Sequence, residues 1–153
     1  MSGSGLEIRQ IDQVTEKALA SFFEALKQAG DEVYFHPHPL TPEEAYKRVQ
    51  YTGQDLYYVL VEDEQILGYG MLRGWDEGYD IPSLGIVIHP KARGIGLGKA
   101  FMHFLHVAAH RKGATKTRLK VYPNNKVAVN LYETLGYVFQ NQEAEQLVGF
   151  LDL

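Results

Sequence analysis

Two hydrophobic periodicities alternate along the chain, one with the spacing of helices and one with the length and alternation of strands. Apolar residues recur three or four positions apart in residues 14–29 and again in residues 97–108, which predicts two amphipathic helices. Short apolar or alternating runs lie between them, and the run at residues 84–88 is rich in β-branched residues. The whole pattern predicts the element order β-α-α-β-β-β-α-β-α-β-β, which is an α/β chain with seven strands and four helices.

Turn and capping residues set the bounds of the predicted elements. Thr41 is the expected N-cap of the second helix, because Pro42 and two acidic residues follow it. A proline directly after His89 ends the strand at residues 84–88, since proline cannot donate to a strand ladder. Gly68 and Gly70 interrupt a predicted strand and indicate a bulge or a close backbone approach. The remaining strands are predicted at residues 6–9, 56–62, 65–72, 117–122, 138–140 and 147–151, and the remaining helices at residues 41–51 and 125–135.

Length and composition are typical of one globular domain. The chain has 153 residues, of which 45% are hydrophobic and 22% charged, and we place a single domain at residues 6–153. Residues 1–5, Met-Ser-Gly-Ser-Gly, are predicted to be a flexible leader or a remnant of cloning. The chain has no cysteine, which excludes disulfides, thiolate metal ligands and a cysteine nucleophile.

Charge and hydropathy narrow the expected location and partners. No run approaches the ~20 apolar residues that a membrane span needs, and no signal-peptide core follows the N-terminus. We therefore expect a cytoplasmic protein without a membrane partner. The net charge of −4 and the lack of a basic stripe argue against nucleic acid as a partner. The oligomeric state stays open, with a homodimer among the options.

A glycine-rich turn, Arg93-Gly-Ile-Gly-Leu-Gly98, lies between the strand at residues 84–88 and the helix that follows. The first turn of a helix has backbone N–H groups without internal partners, and the helix macrodipole adds positive potential there. Glycines let the backbone approach a ligand closely, and Arg93 and Lys99 add formal positive charge. The turn therefore predicts an anion site suited to a pyrophosphate.

Two common phosphate-binding motifs do not fit this turn. The nucleoside-triphosphate loop requires a serine or threonine after its lysine, but Ala100 follows Lys99. The dinucleotide fingerprint G-x-G-x-x-G begins at Gly94, but its third glycine falls at Lys99. These mismatches argue against a nucleotide-binding domain. If the protein were one, ATP or NAD would compete with any other pyrophosphate ligand for the site.

The motif Arg-x-x-Gly-x-Gly resembles the acyl-CoA loop of the GNAT superfamily of N-acetyltransferases. A second stretch, Asn125-x-x-Ala-x-x-Leu-Tyr132-x-x-x-Gly-Tyr137, resembles the second motif of that family. The resemblance covers the last half to two-thirds of the chain. It implies a GNAT-like fold, with an α+β mixed, twisted sheet of about seven strands whose fourth and fifth strands run parallel and splay apart. It also implies acetyl-CoA as co-substrate and no metal.

The resemblance also implies roles for individual residues. Tyr132 becomes the general acid for the departing thiolate, and Asn125 binds the cofactor arm. The backbone of the central strand pairs with pantetheine, and the glycine turn holds the diphosphate. The implied cofactor-binding residues are Ile86, Val87, Ile88, Arg93, Gly94, Ile95, Gly96, Leu97, Gly98, Lys99 and Asn125.

The general base is where the sequence departs from the family pattern. Many relatives carry a glutamate on the fourth strand, whereas residues 81–85 contain no carboxylate. Glu77 and Asp80 lie in the preceding loop, as does Asp76, and they are the candidate bases, acting directly or through water. In a second interpretation the amine arrives neutral and needs no dedicated base.

The acceptor is predicted only as a class. His36, His38, Trp75 and Tyr79 are the candidate contacts of a small polar amine, such as an amino sugar or an amino acid. His103, His106 and His110 share a helix face but have no carboxylate or cysteine beside them, so we predict no metal site. A protein N-terminus or lysine is the alternative acceptor, and a non-catalytic acyl-CoA-binding module is the alternative function.

Overall fold

The computed structural model describes residues 5–35 and 37–153. These residues form one mixed sheet with helices on both faces, which confirms the predicted fold class. The strands are β1 (Leu6–Gln10), β2 (Leu56–Glu62), β3 (Gln65–Arg73), β4 (Ser83–Ile88), β5 (Lys116–Val121), β6 (Val138–Glu143) and β7 (Gln146–Asp152). The helices are α1 (Glu16–Gln28), α2 (Pro42–Gln50), α3 (Leu97–Arg111) and α4 (Lys126–Thr134).

The sheet is open between its two parallel strands. Its strand order is β1-β2-β3-β4-β5-β7-β6, and every neighbouring pair except β4 and β5 is antiparallel. β3 pairs with β4 along the whole of β4, from Ser83 to Ile88. β5 pairs with β4 at one position only, where Arg118 lies beside Ser83. The two parallel strands therefore separate after Ser83, as the family resemblance implies.

Two hydrophobic cores cover the two faces of the sheet. One core packs α1 and α2 against β2 and β3, and Phe22, Phe23 and Tyr69 are its largest fully buried side chains. The other packs α3 and α4 against the opposite face and includes Phe101 and Leu119. Because side chains alternate along strands, this assignment fixes which face each β4 and β5 residue occupies.

Both expectations for the glycines of β3 are met. The β2–β3 register shifts between Leu60 and Val61, opposite Gly68. A Cβ on Gly70 would lie 2.8 Å from ring carbons of Phe101, closer than real Cβ contacts come. The glycines therefore let α3 lie directly on β3, which fixes the start of α3 beside the end of β4.

Element bounds differ from the predictions mainly at turns. Residues 13–15 form a 3₁₀ turn, so α1 begins at Glu16. β6 extends to Glu143 because a tight turn at Ala144, with φ of +53°, continues the hairpin into β7. Residues 1–4 lie outside the described part of the chain, so the leader and the single-domain boundary stay predictions. None of the helices formed by residues 5–35 and 37–153 has the length and apolar character of a bilayer crossing.

Candidate active site

A cleft of about 1620 Å³ lies where β4 and β5 separate. It is lined by β4, the turn after β4, the starts of α3 and α4, and β5. The segments around Phe35 and Tyr79 also line it. Ordinary ligand pockets measure ~300–1,000 Å³, so this cleft has room for an extended ligand and a second molecule beside it.

β4 presents an unpaired backbone edge to the cleft. The amide of His89 donates to the carbonyl of Leu67 at 2.7 Å, and hydrogen-bonded pairs alternate along antiparallel strands. The N–H and C=O of Ile86 therefore point away from β3 and into the gap. β5 has already diverged at this level, so an extended ligand can pair with Ile86 as an added strand. The predicted residues Ile86, Val87 and Ile88 all line the cleft.

The glycine turn places free backbone amides at the start of α3. Gly94 and Gly96 have φ of +80° and +89°, in the left-handed region that favours glycine. Gly96 is the N-cap, so α3 begins at Leu97 and its first turn includes Gly98 and Lys99. Within the part of the chain that the structure describes, the N–H groups of residues 93–99 donate to no backbone group. The turn thus has the free amides at a helix start that the predicted anion site requires.

The two cations of the turn differ in their surroundings. The Arg93 guanidinium binds the Asp31 carboxylate, and its Nε donates to the Ile88 carbonyl at 3.0 Å. Its charge is therefore balanced by Asp31, a partner that the sequence did not reveal. Lys99 lines the cleft and is exposed, and among the described residues it forms no ion pair. Lys99 is the turn's cation available to a ligand.

Tyr132 and Asn125 reach the same cleft from α4. Tyr132 is 9% exposed, and burial raises the pKa of its phenol to about 12. Its hydroxyl has no hydrogen bond to another described residue, which leaves it available to a ligand. Asn125 occupies the N-cap position of α4, but its side chain makes no capping hydrogen bond. Neither side chain therefore forms a hydrogen bond within the described part of the fold.

A buried hydrogen-bonded chain supports the Tyr132 ring. The Tyr137 ring packs edge-on against Tyr132 at 5.9 Å between centroids. The Tyr137 hydroxyl is hydrogen-bonded to Thr117 Oγ1 at 2.7 Å and to His106 Nε2 at 2.9 Å. Burial lowers the pKa of His106 to about 4, so His106 is neutral in the folded protein near pH 7.

The shifted His106 predicts a pH-dependent stability. Its pKa is about 4 when folded and ~6.5 when unfolded, so the unfolded chain takes up the proton first as pH falls. The free energy of unfolding is therefore expected to fall between pH 6.5 and 4, by about 1–2 kcal/mol from His106 after allowing for its partial exposure. Chemical denaturation of the His106→Gln variant is expected to show a shallower slope over this range. The exposed His110 provides the control variant His110→Gln, and an unchanged slope in His106→Gln would contradict the assignment.

The loop after β3 contributes only some of its predicted residues. Glu77, Tyr79 and Asp80 line the cleft. The Asp76 carboxylate instead accepts hydrogen bonds from Tyr51 and from the Gln54 amide, and it does not line the cleft. These bonds fasten the loop to the segment before β2.

Trp75 and His38 are placed in packing positions away from the cleft. The Trp75 indole lies under the Lys112 ammonium, 4.7 Å from the ring centroid, against the core of α3. His38 Nδ1–H donates to the Pro39 carbonyl at 2.7 Å, so its Nε2 accepts from the Tyr69 hydroxyl at 2.8 Å. Burial lowers the pKa of His38, in keeping with this neutral form. His36 lies outside the described residues.

Sequence reasoning missed several charged residues that line the cleft: Arg73, Arg118, Lys120 and Glu143. A signal was present in β5, where Arg118 and Lys120 alternate with Leu119 and Val121 and so share one face of a central strand. Among residues 5–35 and 37–153, no group of three or more His, Asp or Glu side chains is arranged to hold a metal ion.

A model of the acetyltransferase (GNAT) family matches residues 17–137. No curated protein sequence is significantly similar to this chain.

Solved structures share the fold along nearly their whole length. A GCN5-related N-acetyltransferase from Kribbella flavida is 23% identical, with a TM-score of 0.80 over 97% of this chain and 98% of that one. The PaiA N-acetyltransferase from Thermoplasma acidophilum, in complex with coenzyme A, is 17% identical, with a TM-score of 0.78 over 97% and 99%. A ribosomal-protein-S5-alanine acetyltransferase from Vibrio fischeri is 14% identical, with a TM-score of 0.80 over 96% and 92%. At these identities the likeness concerns the fold.

Proposed function

Because this chain belongs to the GNAT family of acetyltransferases, we propose that it transfers the acetyl group of acetyl-CoA directly to the primary amine of a small polar acceptor. The observation that carries the proposal is the separation of β4 from β5 beside the free amides of the glycine turn. One end of the cleft can hold a pyrophosphate while the other leaves room for a second reactant.

The cofactor's position follows from the anion site. The diphosphate binds the amides of residues 93–99, with Lys99 as an added cation. The pantetheine arm then runs along β4 and donates an amide N–H to the carbonyl of Ile86. Asn125 binds the arm from the opposite wall. The N–H of Ile86 also faces the gap and is the group that we assign to the thioester oxyanion.

The acceptor amine attacks the thioester carbonyl carbon, so a C–N bond forms and the C–S bond breaks. Glu77 and Asp80 are the candidate bases, because the cleft's other acids are ion-paired: Asp31 with Arg93, and Glu143 with Arg118. The base removes a proton from the nitrogen, directly or through water. Tyr132 gives its phenolic proton to the departing thiolate and regains one from solvent.

The test measures free thiol release from acetyl-CoA with a panel of small amines, together with coenzyme A binding by titration calorimetry. We expect turnover with at least one amine. Binding without turnover on any amine would favour the non-catalytic module, and absence of binding would overturn the proposal. Turnover only with peptide N-termini or peptide lysines would assign a protein acceptor instead.

Mutating the candidate bases distinguishes a mechanism with a dedicated general base from one in which the amine arrives neutral. Glu77→Gln or Asp80→Asn is expected to lower kcat/KM by about 10²-fold if that residue accepts the proton. The control is Glu62→Gln, at the exposed end of β2 away from the cleft. If neither variant loses activity and the low-pH limb of kcat/KM moves with the basicity of the acceptor amine, the amine arrives neutral and no base acts.

A further inference from the structure

Three side chains form a row across the strands at the point where the sheet opens. Arg73 of β3 pairs in register with Ser83 of β4, and Ser83 pairs with Arg118 of β5. Register partners on neighbouring strands point to the same face of a sheet. Arg73, Ser83 and Arg118 all line the cleft, and we call them the cross-strand row.

The cross-strand row lies on the face opposite α3 and α4. The neighbours of its members along the strands, Leu72, Leu84 and Leu119, belong to the core under α3 and α4. The row members therefore point to the other face, where α1 and α2 pack. A ligand on the row reaches the gap from the side away from the glycine turn, so it can lie beside the cofactor without competing for the anion site of α3.

The Arg73 guanidinium is oriented but not neutralised. Its Nη1 donates to the Pro37 carbonyl at 3.0 Å, which holds the side chain at the cleft. Arg73 is half-buried, and among the described residues it forms no ion pair with a carboxylate. An arginine has five N–H donors in a planar fork, so most of its donors stay available to a ligand.

The Arg118 end of the row also has an excess of positive charge. Glu143 accepts from Arg118 at 3.0 Å and from Lys120 at 3.1 Å, so two cations share one carboxylate. The Nε of Arg118 is buried and has no hydrogen-bond partner among the described residues. With Arg73 included, three cations line the cleft at or beside the row, and Glu143 is the one described acid that is ion-paired with any of them.

We infer that the cross-strand row binds a carboxylate of the acceptor, so that the acceptor is a free amino acid carrying its amine and its carboxylate on one small molecule. The inference rests on the proposed acetyl transfer and deepens it. A carboxylate fits the arginine fork with two parallel hydrogen bonds, and the Ser83 hydroxyl adds a third donor. Glu77 and Asp80 line the same cleft and are the groups that meet the amine. A polyamine, or an amino sugar without an acidic group, has no anion for the row to bind.

The first experiment compares matched acceptors. Initial rates of thiol release are measured with the standard L-amino acids and with their α-carboxamides, at saturating acetyl-CoA. We expect at least one amino acid to be acetylated with a KM about 10- to 100-fold below that of its amide, which is the effect of a charge-assisted hydrogen-bonded pair. Equal KM values for every acid and its amide would overturn the inference.

The second experiment assigns the preference to Arg73. The Arg73→Gln variant is expected to raise KM for the amino acid by about 10- to 100-fold and to change KM for the amide by less than about twofold. Arg73→Lys keeps the charge and is expected to recover part of the discrimination. Arg111→Gln, on the exposed end of α3 and outside the cleft, makes the same charge change as a control. A merely structural role of Arg73 raises both KM values together, and that result also overturns the inference.

Failure of the inference and failure of the proposed function are distinguishable. If amines without a carboxylate are turned over at a rate that Arg73→Gln does not change, the inference is overturned and the proposed acetyl transfer stands. Turnover with acidic peptides but with no free amino acid would mean that the row binds an acidic group of a protein acceptor. That result would also overturn the inference. If none of the amines gives thiol release, the proposed function itself is overturned.

Discussion

Replacing Gly98 with aspartate is expected to weaken coenzyme A binding more than about 100-fold while leaving the fold at least as stable as before. Gly98 lies in the first turn of α3 and lines the cleft, and a Cβ there would sit 3.7 Å from side-chain carbons of Ile88 and Leu131, an ordinary contact. No acidic residue occupies that first turn, so a carboxylate there improves the match to the helix macrodipole. The same carboxylate would stand in the anion site. Two negative charges 5 Å apart, here the carboxylate and a phosphate of the cofactor, repel each other by about 3 kcal/mol at an effective dielectric of 20. We therefore expect the affinity for coenzyme A to fall more than about 100-fold.

The control is the Gly98→Asn variant, which adds nearly the same volume without the charge. We expect it to lose about tenfold or less in affinity, so that the ratio of the two variants isolates the electrostatic part. That ratio is expected to shrink as salt is added, because screening weakens the repulsion. Calorimetric titration with coenzyme A and thermal unfolding of both variants make the measurement. Equal affinities of the Asp and Asn variants would mean that the phosphates bind elsewhere.

The glycine turn shows what local sequence can predict. Its geometry needs only a strand end, two residues with positive φ and the start of a helix, and all of these follow from the order of residues 84–99. The element order could be predicted for the same reason, whereas the opening of the sheet was implied by the family resemblance alone. Sequence could not show that Asp31 would reach Arg93, since the two are far apart in the chain and meet only through packing.

The acceptor side shows the limit of sequence reasoning. Trp75 and Asp80 are close neighbours in one loop, yet only Asp80 lines the cleft, because Trp75 turns into the core beside Lys112. Arg73 and Arg118 come together only through the registers of β3, β4 and β5. Cross-strand registers depend on the whole sheet, so a charged residue at a strand end does not reveal its partners by itself. Most of the predicted cofactor-binding residues therefore line the cleft, whereas among the predicted acceptor contacts that the structure describes only Tyr79 does.

Tyr132→Phe is expected to lower kcat by about 10²- to 10³-fold with little change in coenzyme A affinity or in stability. The hydroxyl has no hydrogen bond within the described fold, so its removal breaks no native contact. Burial raises the pKa of Tyr132 to about 12, which keeps the phenol protonated throughout the working pH range. A general acid contributes typically about 10²- to 10⁴-fold, and the proton is needed only when the thiolate leaves. The loss should therefore fall on kcat rather than on binding of either substrate.

The pH profile separates this role from simple packing. The wild-type rate is expected to rise with pH as the amine loses its proton, without a decline up to about pH 11, because Tyr132 ionises only near its pKa of about 12. Tyr46→Phe, at a tyrosine that is 54% exposed on α2 and outside the cleft, serves as the matched control and should match the wild type. If Tyr132→Phe keeps its full kcat, water protonates the thiolate and Tyr132 only packs. If it instead loses coenzyme A affinity in proportion to kcat, the hydroxyl binds the ground state and is not the acid.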